Sequence, residues 1–295
     1  MKRDITEWIE NTLTTSGFIT GLAKWLGDLM NKIFQETPLR PLKLLANGTL
    51  IEHPLHPVVT DVPVGSWTVA ILLMLVTLIF GVQNLGLATG FAIGLGVLAG
   101  LAAIVTGLLD WMDVDPPELA VGITHGIINI VATIIFAIAF YLLYSGNWEI
   151  NLTNTLLAVV GYLTVTVGAF IGGSLVFRQG VMINRDAFRK GPKDYTPALA
   201  AKDLADNQLK RVEVKGQPVL LLKRGEKIYA IGAVCSHYGG PLEKGKLVDG
   251  TVECPWHYSR FALEDGRVKE GPATSPMPAY DARINNGQVE VKMRQ

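Results

Sequence analysis

Two short stretches decide the fold of the C-terminal third of this chain: Cys235-Ser-His-Tyr-Gly-Gly-Pro-Leu242 and Cys254-Pro-Trp-His-Tyr-Ser-Arg-Phe261. They contain the only two cysteines of the 295 residues, and each adds a histidine, as Cys235-x-His237 and Cys254-x-x-His257. Two thiolates and two imidazoles in paired short spacings suit a metal centre with one sulfur-bound end and one nitrogen-bound end. The spacing alone also permits a tetrahedral zinc site.

The two stretches resemble the ligand loops of the Rieske 2Fe-2S family, over roughly the last hundred residues. The resemblance implies that Cys235 and Cys254 bind one iron, and that His237 and His257 bind the other iron and face a redox partner. The Gly-Gly-Pro turn after the first pair and the proline after Cys254 favour this centre over zinc, because zinc spacing requires neither.

The loops also indicate a branch of that family. Quinol-oxidising members carry an extra cysteine in each loop, joined as a disulfide, where this chain has Gly240 and Trp256, so the chain is similar to the ferredoxin and oxygenase branch. High-potential members carry Ser and Tyr hydroxyls that stabilise the reduced cluster. This chain has Ser259 but Phe261, which predicts an intermediate potential within about −150 to +300 mV. An ordinary loop hydroxyl is the alternative for Ser259. Tyr258 replaces the usual Gly and would be strained if φ is positive.

The middle of the chain has the composition of a membrane protein. The sequence is 49% hydrophobic with no net charge, its mean hydropathy is +0.32, and the charges lie mostly outside the centre. Four apolar runs exceed the roughly 20 residues that a transmembrane helix needs: Val58–Phe80, Leu85–Leu109, Leu119–Tyr144 and Leu152–Phe177. We therefore expect an α-helical transmembrane four-helix bundle over residues 51–180 and an all-β Rieske domain over residues 193–295.

Residues 1–50 are expected to form amphipathic interfacial helices and a linker. Apolar residues recur every three or four positions between residues 4 and 34, and two tryptophans lie among them, a pattern typical of a helix in the headgroup region. A helix packed on a cytoplasmic domain would show the same pattern. A linker containing two prolines follows at residues 37–41.

The positive charges predict the orientation. Lysine and arginine are frequent before the first run and after the fourth, whereas the loops at residues 81–84 and 145–151 have none. The positive-inside rule then places both termini and the Rieske domain on the cytoplasmic side of a bacterial inner membrane. A cluster that uses both cysteines leaves none for a structural disulfide, which fits a reducing compartment.

Short alternating segments after residue 193 predict an antiparallel β domain. Turn signals such as Asp249-Gly250 and Asn286-Gly287 separate them. The expected strands are Lys210–Val214, Pro218–Lys223, Lys227–Val234, Thr251–Glu253, Arg260–Leu263, Ala279–Asn285 and Gln288–Met293. Both ligand loops then emerge between strands, which hold the ligands rigidly.

The remaining histidines suggest a second site in the membrane region. His53 and His56 precede the first apolar run, and His125 lies about 9 Å inside the third at 1.5 Å per residue. Alternating helix directions place them on one side of the membrane, together with Asp61 and Asp110. Ionisable residues inside a membrane are costly and indicate function by default.

Three interpretations of this second site stay open. A histidine on the first helix and His125 on the third suit haem b; two histidines and an aspartate suit non-haem iron; hydrogen-bonded side chains at the headgroup boundary suit a structural role or a quinone pocket. Residues 50–180 resemble a family of bacterial four-helix membrane proteins of unassigned function, through His53-Pro-Leu-His-Pro-Val-Val-Thr-Asp-Val-Pro-Val-Gly, Thr106-Gly-Leu-Leu-Asp110 and Thr124-His125-Gly. This resemblance implies an architecture and almost no mechanism.

These observations predict a membrane-anchored electron-transfer protein with a cytoplasm-facing 2Fe-2S cluster. An electron carrier without substrate chemistry of its own is favoured over its rivals, which are a membrane oxidoreductase with a second redox site and a redox-sensing or structural subunit. The expected partners are the lipid bilayer and a redox protein or quinone, in an oligomer or a larger complex. The sequence has no basic, aromatic-interleaved surface and no phosphate loop, so nucleic acid and nucleotides are not expected partners.

Overall fold

The structure is a computed structural model and describes residues 5–35, 37–116 and 118–294. It divides into a helical unit, within residues 1–46 and 55–181, and a β unit, within residues 47–54 and 182–295. Each unit has hydrophobic core clusters of its own. Four long apolar helices followed by antiparallel sheets confirm the predicted fold class.

Three shorter helices begin the helical unit: α1 (Ile5–Thr15), α2 (Gly17–Phe34) and α3 (Arg40–Ala46). The predicted amphipathic segment is therefore two helices. The break falls at Ser16, whose side chain caps α2 by accepting the Ile19 N–H at 3.4 Å. Part of the predicted linker is helical: α3 begins two residues after Pro38 and has Pro41 in its first turn, where proline is tolerated.

Four long helices form the bundle, and each follows one apolar run. They contain 26 or 28 residues, or about 39 to 42 Å at 1.5 Å per residue, which is enough to cross a hydrocarbon core of about 30 Å. Inside the bundle, Trp67 stacks on Phe136 with ring centroids 4.1 Å apart. The bounds are α4 (Leu55–Phe80), α5 (Gly86–Trp111), α6 (Glu118–Ser145) and α7 (Leu152–Phe177).

The N-terminal helices pack on this bundle. Ala23 of α2 is buried in a cluster with Trp111 of α5 and Ile123 of α6. Small residues on this face of α2 allow the helix to approach closely. The opposite face keeps large apolar side chains exposed, among them Phe18 and Trp25. One face of the amphipathic pattern is therefore a packing surface, and the other is exposed among the residues that the structure describes.

A buried ion pair holds α3 against the end of α5. Lys43 Nζ lies 2.5 Å from Asp113 Oδ2, and both side chains are almost fully buried. The Gln35 amide donates to the second oxygen of Asp113 at 3.1 Å. A buried charge without its partner costs several kcal/mol, roughly. The ion pair and the Gln35 amide therefore hold the segment from the end of α2 to α3 against the end of α5.

The β unit contains two antiparallel sheets. The first has six strands in the order β1-β10-β9-β4-β3-β2, and the second has four strands in the order β5-β6-β7-β8. The strands are β1 (Thr196–Ala200), β2 (Lys210–Val214), β3 (Gln217–Arg224), β4 (Lys227–Gly232), β5 (Lys246–Val248), β6 (Thr251–Glu253), β7 (Arg260–Ala262), β8 (Val268–Glu270), β9 (Ala279–Asn285) and β10 (Gln288–Met293).

All seven strands expected from the sequence are present, four of them with the same bounds. Three strands, β1, β5 and β8, were not predicted. All three lie at the edges of their sheets, and β1 contains a proline, which weakens the strand pattern. Partners elsewhere in the chain make them strands, since β1 pairs with β10.

Residues 47–54 belong to the β unit, although they precede the first long helix. Thr49 packs so closely on Gly271 that a Cβ at Gly271 would lie 2.0 Å from the Thr49 hydroxyl oxygen. The helix α4 starts at Leu55, so His56 lies inside it and not before it as the apolar run suggested. His53 is exposed in the segment of the β unit.

Candidate metal centre

The first ligand loop leaves β4 and closes on itself. The Cys235 N–H donates to the Gly240 carbonyl at 2.9 Å, and the Gly239 N–H donates to the Cys235 carbonyl at 2.9 Å. This closure requires a left-handed residue, and Gly239 has a φ of 85°. A bridge between Val234 and Pro241 joins the two ends of the loop.

The second ligand loop, between β6 and β7, repeats the same closure. The Cys254 N–H donates to the Ser259 carbonyl at 2.8 Å, and the Tyr258 N–H donates to the Cys254 carbonyl at 3.2 Å. Tyr258 occupies the left-handed position with a φ of 63°. The positive φ considered for this position is therefore present, and a bulky residue accepts backbone strain there.

The two loops bring the predicted ligands together as two pairs. Cys235 and Cys254 are buried, and the Cys235 thiol donates a hydrogen bond to the Cys254 sulfur. This bond lowers the pKa of Cys254 to about 7 and, together with burial, raises the pKa of Cys235. The rings of His237 and His257 lie beside each other with centroids 5.2 Å apart.

The histidine pair is unequally exposed. His237 is 7% exposed, whereas His257 is half-buried beside the exposed Trp256 and Tyr258. Both imidazoles were expected to face a partner. His257 is the more accessible of the two. Aromatic side chains surround it, a composition that is enriched in protein interfaces.

Several features fit a 2Fe-2S cluster on these residues. Backbone N–H groups of His237 and Tyr238 are directed at the Cys235 sulfur, and those of Trp256 and His257 at the Cys254 sulfur, where they stabilise thiolates. In the described ranges, no three His, Cys, Asp or Glu side chains converge on one metal position. The pairing of two buried thiols and of two neighbouring imidazoles fits two irons with two protein ligands each.

A close approach of backbone supports the same assignment. A Cβ at Gly240 would lie 2.6 Å from the Cys254 sulfur and 3.2 Å from the Trp256 ring, so only glycine fits. Gly240 and Trp256, the positions at which the resemblance would place the extra cysteines of quinol-oxidising members, lie close together, and neither residue can form a disulfide.

The two residues expected to tune the potential of a cluster, Ser259 and Phe261, are both buried. Ser259 is fully buried, and its Oγ accepts the Ala273 N–H at 2.9 Å, which leaves its own proton for another acceptor. Phe261 is also fully buried, in one core cluster with both cysteines, and it supplies no hydroxyl. The contact with Ala273 could not be predicted, because nothing in the local sequence pattern links that residue to Ser259.

The second site suggested by the sequence is only partly assembled. His56 and His125 meet inside the helical unit, with ring centroids 6.3 Å apart. Asp61 is exposed, because five residues turn it about 140° away from His56 around α4. Asp110 is buried at the end of α5. His53 belongs to the β unit. In the described ranges, no three His, Cys, Asp or Glu side chains come together at this second site.

Comparison with known proteins identifies both parts of the chain. Residues 194–281 match the Rieske [2Fe-2S] domain, and residues 52–185 match a predicted membrane protein family, DUF2231. The anthranilate 1,2-dioxygenase ferredoxin subunit of Burkholderia cepacia is 38% identical over 81 residues, which are 27% of this chain and 75% of that protein. The ferredoxin component of biphenyl 2,3-dioxygenase from Rhodococcus jostii is 30% identical over 98 residues, covering 33% and 92%.

Two further matches are a much longer protein and a solved structure. Apoptosis-inducing factor 3 of Mus musculus is 34% identical over 103 residues, and the match spans 34% of this chain and only 17% of that protein. The ferredoxin of carbazole 1,9a-dioxygenase from Nocardioides aromaticivorans is 25% identical with a TM-score of 0.33, covering 34% and 98%. The chain belongs to the Rieske 2Fe-2S family, and its Rieske domain is joined to a membrane domain of the DUF2231 family.

Proposed function

We propose that this protein is a membrane-anchored electron carrier and that Cys235, His237, Cys254 and His257 hold its 2Fe-2S cluster. The observation that carries the proposal is the pairing of these ligands, with the thiols buried and one imidazole near the surface. When bound, the cluster supplies one-electron transfer. The related ferredoxin subunits of dioxygenases support this role.

The protein residues around the cluster have separate tasks in this proposal. The two cysteines and their backbone donors hold the buried end, and the burial excludes water from it. His257 forms the exit for the electron, because it is the more exposed of the two imidazoles. Ser259 donates its remaining proton toward a sulfur atom, which favours the reduced state.

The partner is a redox protein that docks on the aromatic rim around His257. Trp256 is 46% exposed and Tyr258 is 43% exposed, so both present large rigid surfaces. A dioxygenase-type oxygenase or a reductase is the partner class that the relatives suggest. A quinone in the membrane is the alternative source or sink of electrons.

The proposed location is the bacterial inner membrane, with both termini and the Rieske domain in the cytoplasm. The basic residues that flank the four helices support this orientation, since the loops at residues 81–84 and 145–151 contain neither lysine nor arginine. The exposed apolar face of α1 and α2, with Trp8 and Trp25, supports a position in the headgroup region.

Purification of the full chain in detergent tests the proposal. We expect non-haem iron and acid-labile sulfide in equal amounts and the paramagnetic signal of a reduced 2Fe-2S centre with mixed nitrogen and sulfur ligation. Trp256→Ala is expected to slow electron exchange with a dioxygenase reductase while leaving the signal unchanged. A protein that contains zinc and lacks the signal would refute the cluster, and an unchanged exchange rate in Trp256→Ala would refute the docking surface.

A further inference from the structure

The helical unit contains the same histidine arrangement twice. His56 on α4 places its Nδ1 3.0 Å from the Ala103 carbonyl on α5, and His125 on α6 places its Nδ1 2.8 Å from the Gly168 carbonyl on α7. A carbonyl oxygen only accepts, so both Nδ1 atoms carry the proton. The lone pair of each ring is then on Nε2, a nitrogen with which imidazole binds metals.

Each ring lies against a glycine four residues beyond that carbonyl. A Cβ at Gly107 would lie 2.7 Å from His56 Cε1, and a Cβ at Gly172 would lie 2.6 Å from His125 Cε1. Residues four apart lie on the same face of a helix, so the carbonyl group and the glycine together form one shallow depression that accepts the histidine ring. The two hairpins therefore hold their histidines in the same way.

The remaining side chains near the rings do not engage Nε2 closely. The Asn129 amide is 3.5 Å from His125 Nε2, at the limit of a hydrogen bond, and donates instead to the His125 carbonyl at 2.8 Å. Thr106 Oγ1 is 3.4 Å from His56 Nδ1 and donates to backbone carbonyls. In the described part of the chain, the hydrogen-bond contacts of the His56 ring are made by Nδ1 and not by Nε2.

The distance between the rings suits a shared ligand. Their centroids are 6.3 Å apart and their planes cross at 88°. Two imidazoles that bind opposite sides of one metal ion, with bonds of about 2 Å, have centroids about 6 Å apart. The described residues add no third His, Cys, Asp or Glu. A centre with two imidazoles and no further protein ligand suits an iron whose other ligands come from a porphyrin.

We propose that His56 and His125 are the two axial ligands of a b-type haem in the helical unit. A hydrogen bond from Nδ1 to a backbone carbonyl is the usual support of a metal-binding histidine, because it fixes the ring and makes the ligand nitrogen more basic. With both axial positions occupied by protein, the site is suited to electron transfer and not to binding oxygen. The proposed haem site shares no ligand with the 2Fe-2S cluster, so the two proposals can be tested independently.

The test uses the full chain, produced in cells supplied with a haem precursor and purified in detergent. We expect haem stoichiometric with the chain, narrow bands in the reduced-minus-oxidised spectrum, and a low-spin ferric signal. His56→Ala and His125→Ala should lose these signals, whereas His53→Ala should keep them because His53 is exposed in the β unit. Cys254→Ser should lose the cluster signal and keep the haem bands.

Two further variants separate ligand loss from misfolding. His125→Gly with added imidazole should recover the low-spin spectrum, and a fold lost in that variant would not recover. Gly172→Ala displaces the ring and should weaken haem binding by about 10- to 100-fold, the effect of disturbing the support of a metal ligand. The assignment is wrong if the wild-type chain titrated with hemin gives no low-spin spectrum, if both histidine variants keep it, or if a non-haem metal or a quinone is found in its place.

Discussion

The hydroxyl of Ser259 should raise the reduction potential of the cluster, and Ser259→Ala removes it. Ser259 is fully buried and its Oγ already accepts the Ala273 N–H at 2.9 Å, so its own proton can be donated to another acceptor, which we expect to be a sulfur atom of the cluster site. A hydrogen bond to a charged group contributes about 1.5–3 kcal/mol. Because 1.4 kcal/mol corresponds to about 59 mV for one electron, the potential should fall by about 60–130 mV.

A redox titration of the purified full chain, followed by circular dichroism of the cluster, measures this shift. Ser236→Ala is the matched control: Ser236 is also buried and next to a ligand, but its hydroxyl donates to the Ser275 carbonyl at 2.6 Å. The control should lose stability and keep its potential. Ser259→Ala also leaves the Ala273 N–H without its acceptor, so a loss of stability is expected in both variants.

Two results would contradict this reasoning. An unchanged potential in Ser259→Ala would show that the hydroxyl does not donate toward the cluster, and an equal fall in Ser236→Ala would show a general effect of loop damage. The complementary variant, Phe261→Tyr, adds a hydroxyl in the core cluster that contains both cysteines. It should raise the potential if that hydroxyl reaches a cysteine sulfur.

Three further predictions concern ligation, the buried ion pair and orientation. Cys254→Ser should abolish the cluster signal while the helical circular dichroism persists, because the two units have separate cores. Lys43→Ala leaves the Asp113 carboxylate buried and should cost about 3–5 kcal/mol in thermal or denaturant unfolding, whereas Lys43→Met combined with Asp113→Leu should recover most of that loss. In intact cells, an impermeant thiol reagent should label Gln83→Cys but not Lys202→Cys, and the reverse pattern would overturn the proposed orientation.

Local patterns predicted most of the architecture, because they depend on neighbouring residues. An apolar run longer than a bilayer is thick becomes a helix wherever it lies, and alternating segments such as Lys210–Val214 and Ala279–Asn285 formed the expected strands. The four proposed ligands could be predicted in the same way, since each loop contains one cysteine and one histidine within a few residues. Each loop is also closed by its own backbone hydrogen bonds. Edge strands such as β1 were missed because distant partners define them.

Short spacings along the chain were therefore enough to predict the four long apolar helices, the β domain and the proposed cysteine and histidine ligands. Tertiary structure decided which distant groups meet. It joined Ser259 to Ala273, set Lys43 against Asp113, and selected His56 and His125 from the five ionisable residues that the sequence had grouped. The physical reason is that the direction of a side chain around a helix and the room beside it, as at Gly107 and Gly172, arise only when the helices pack.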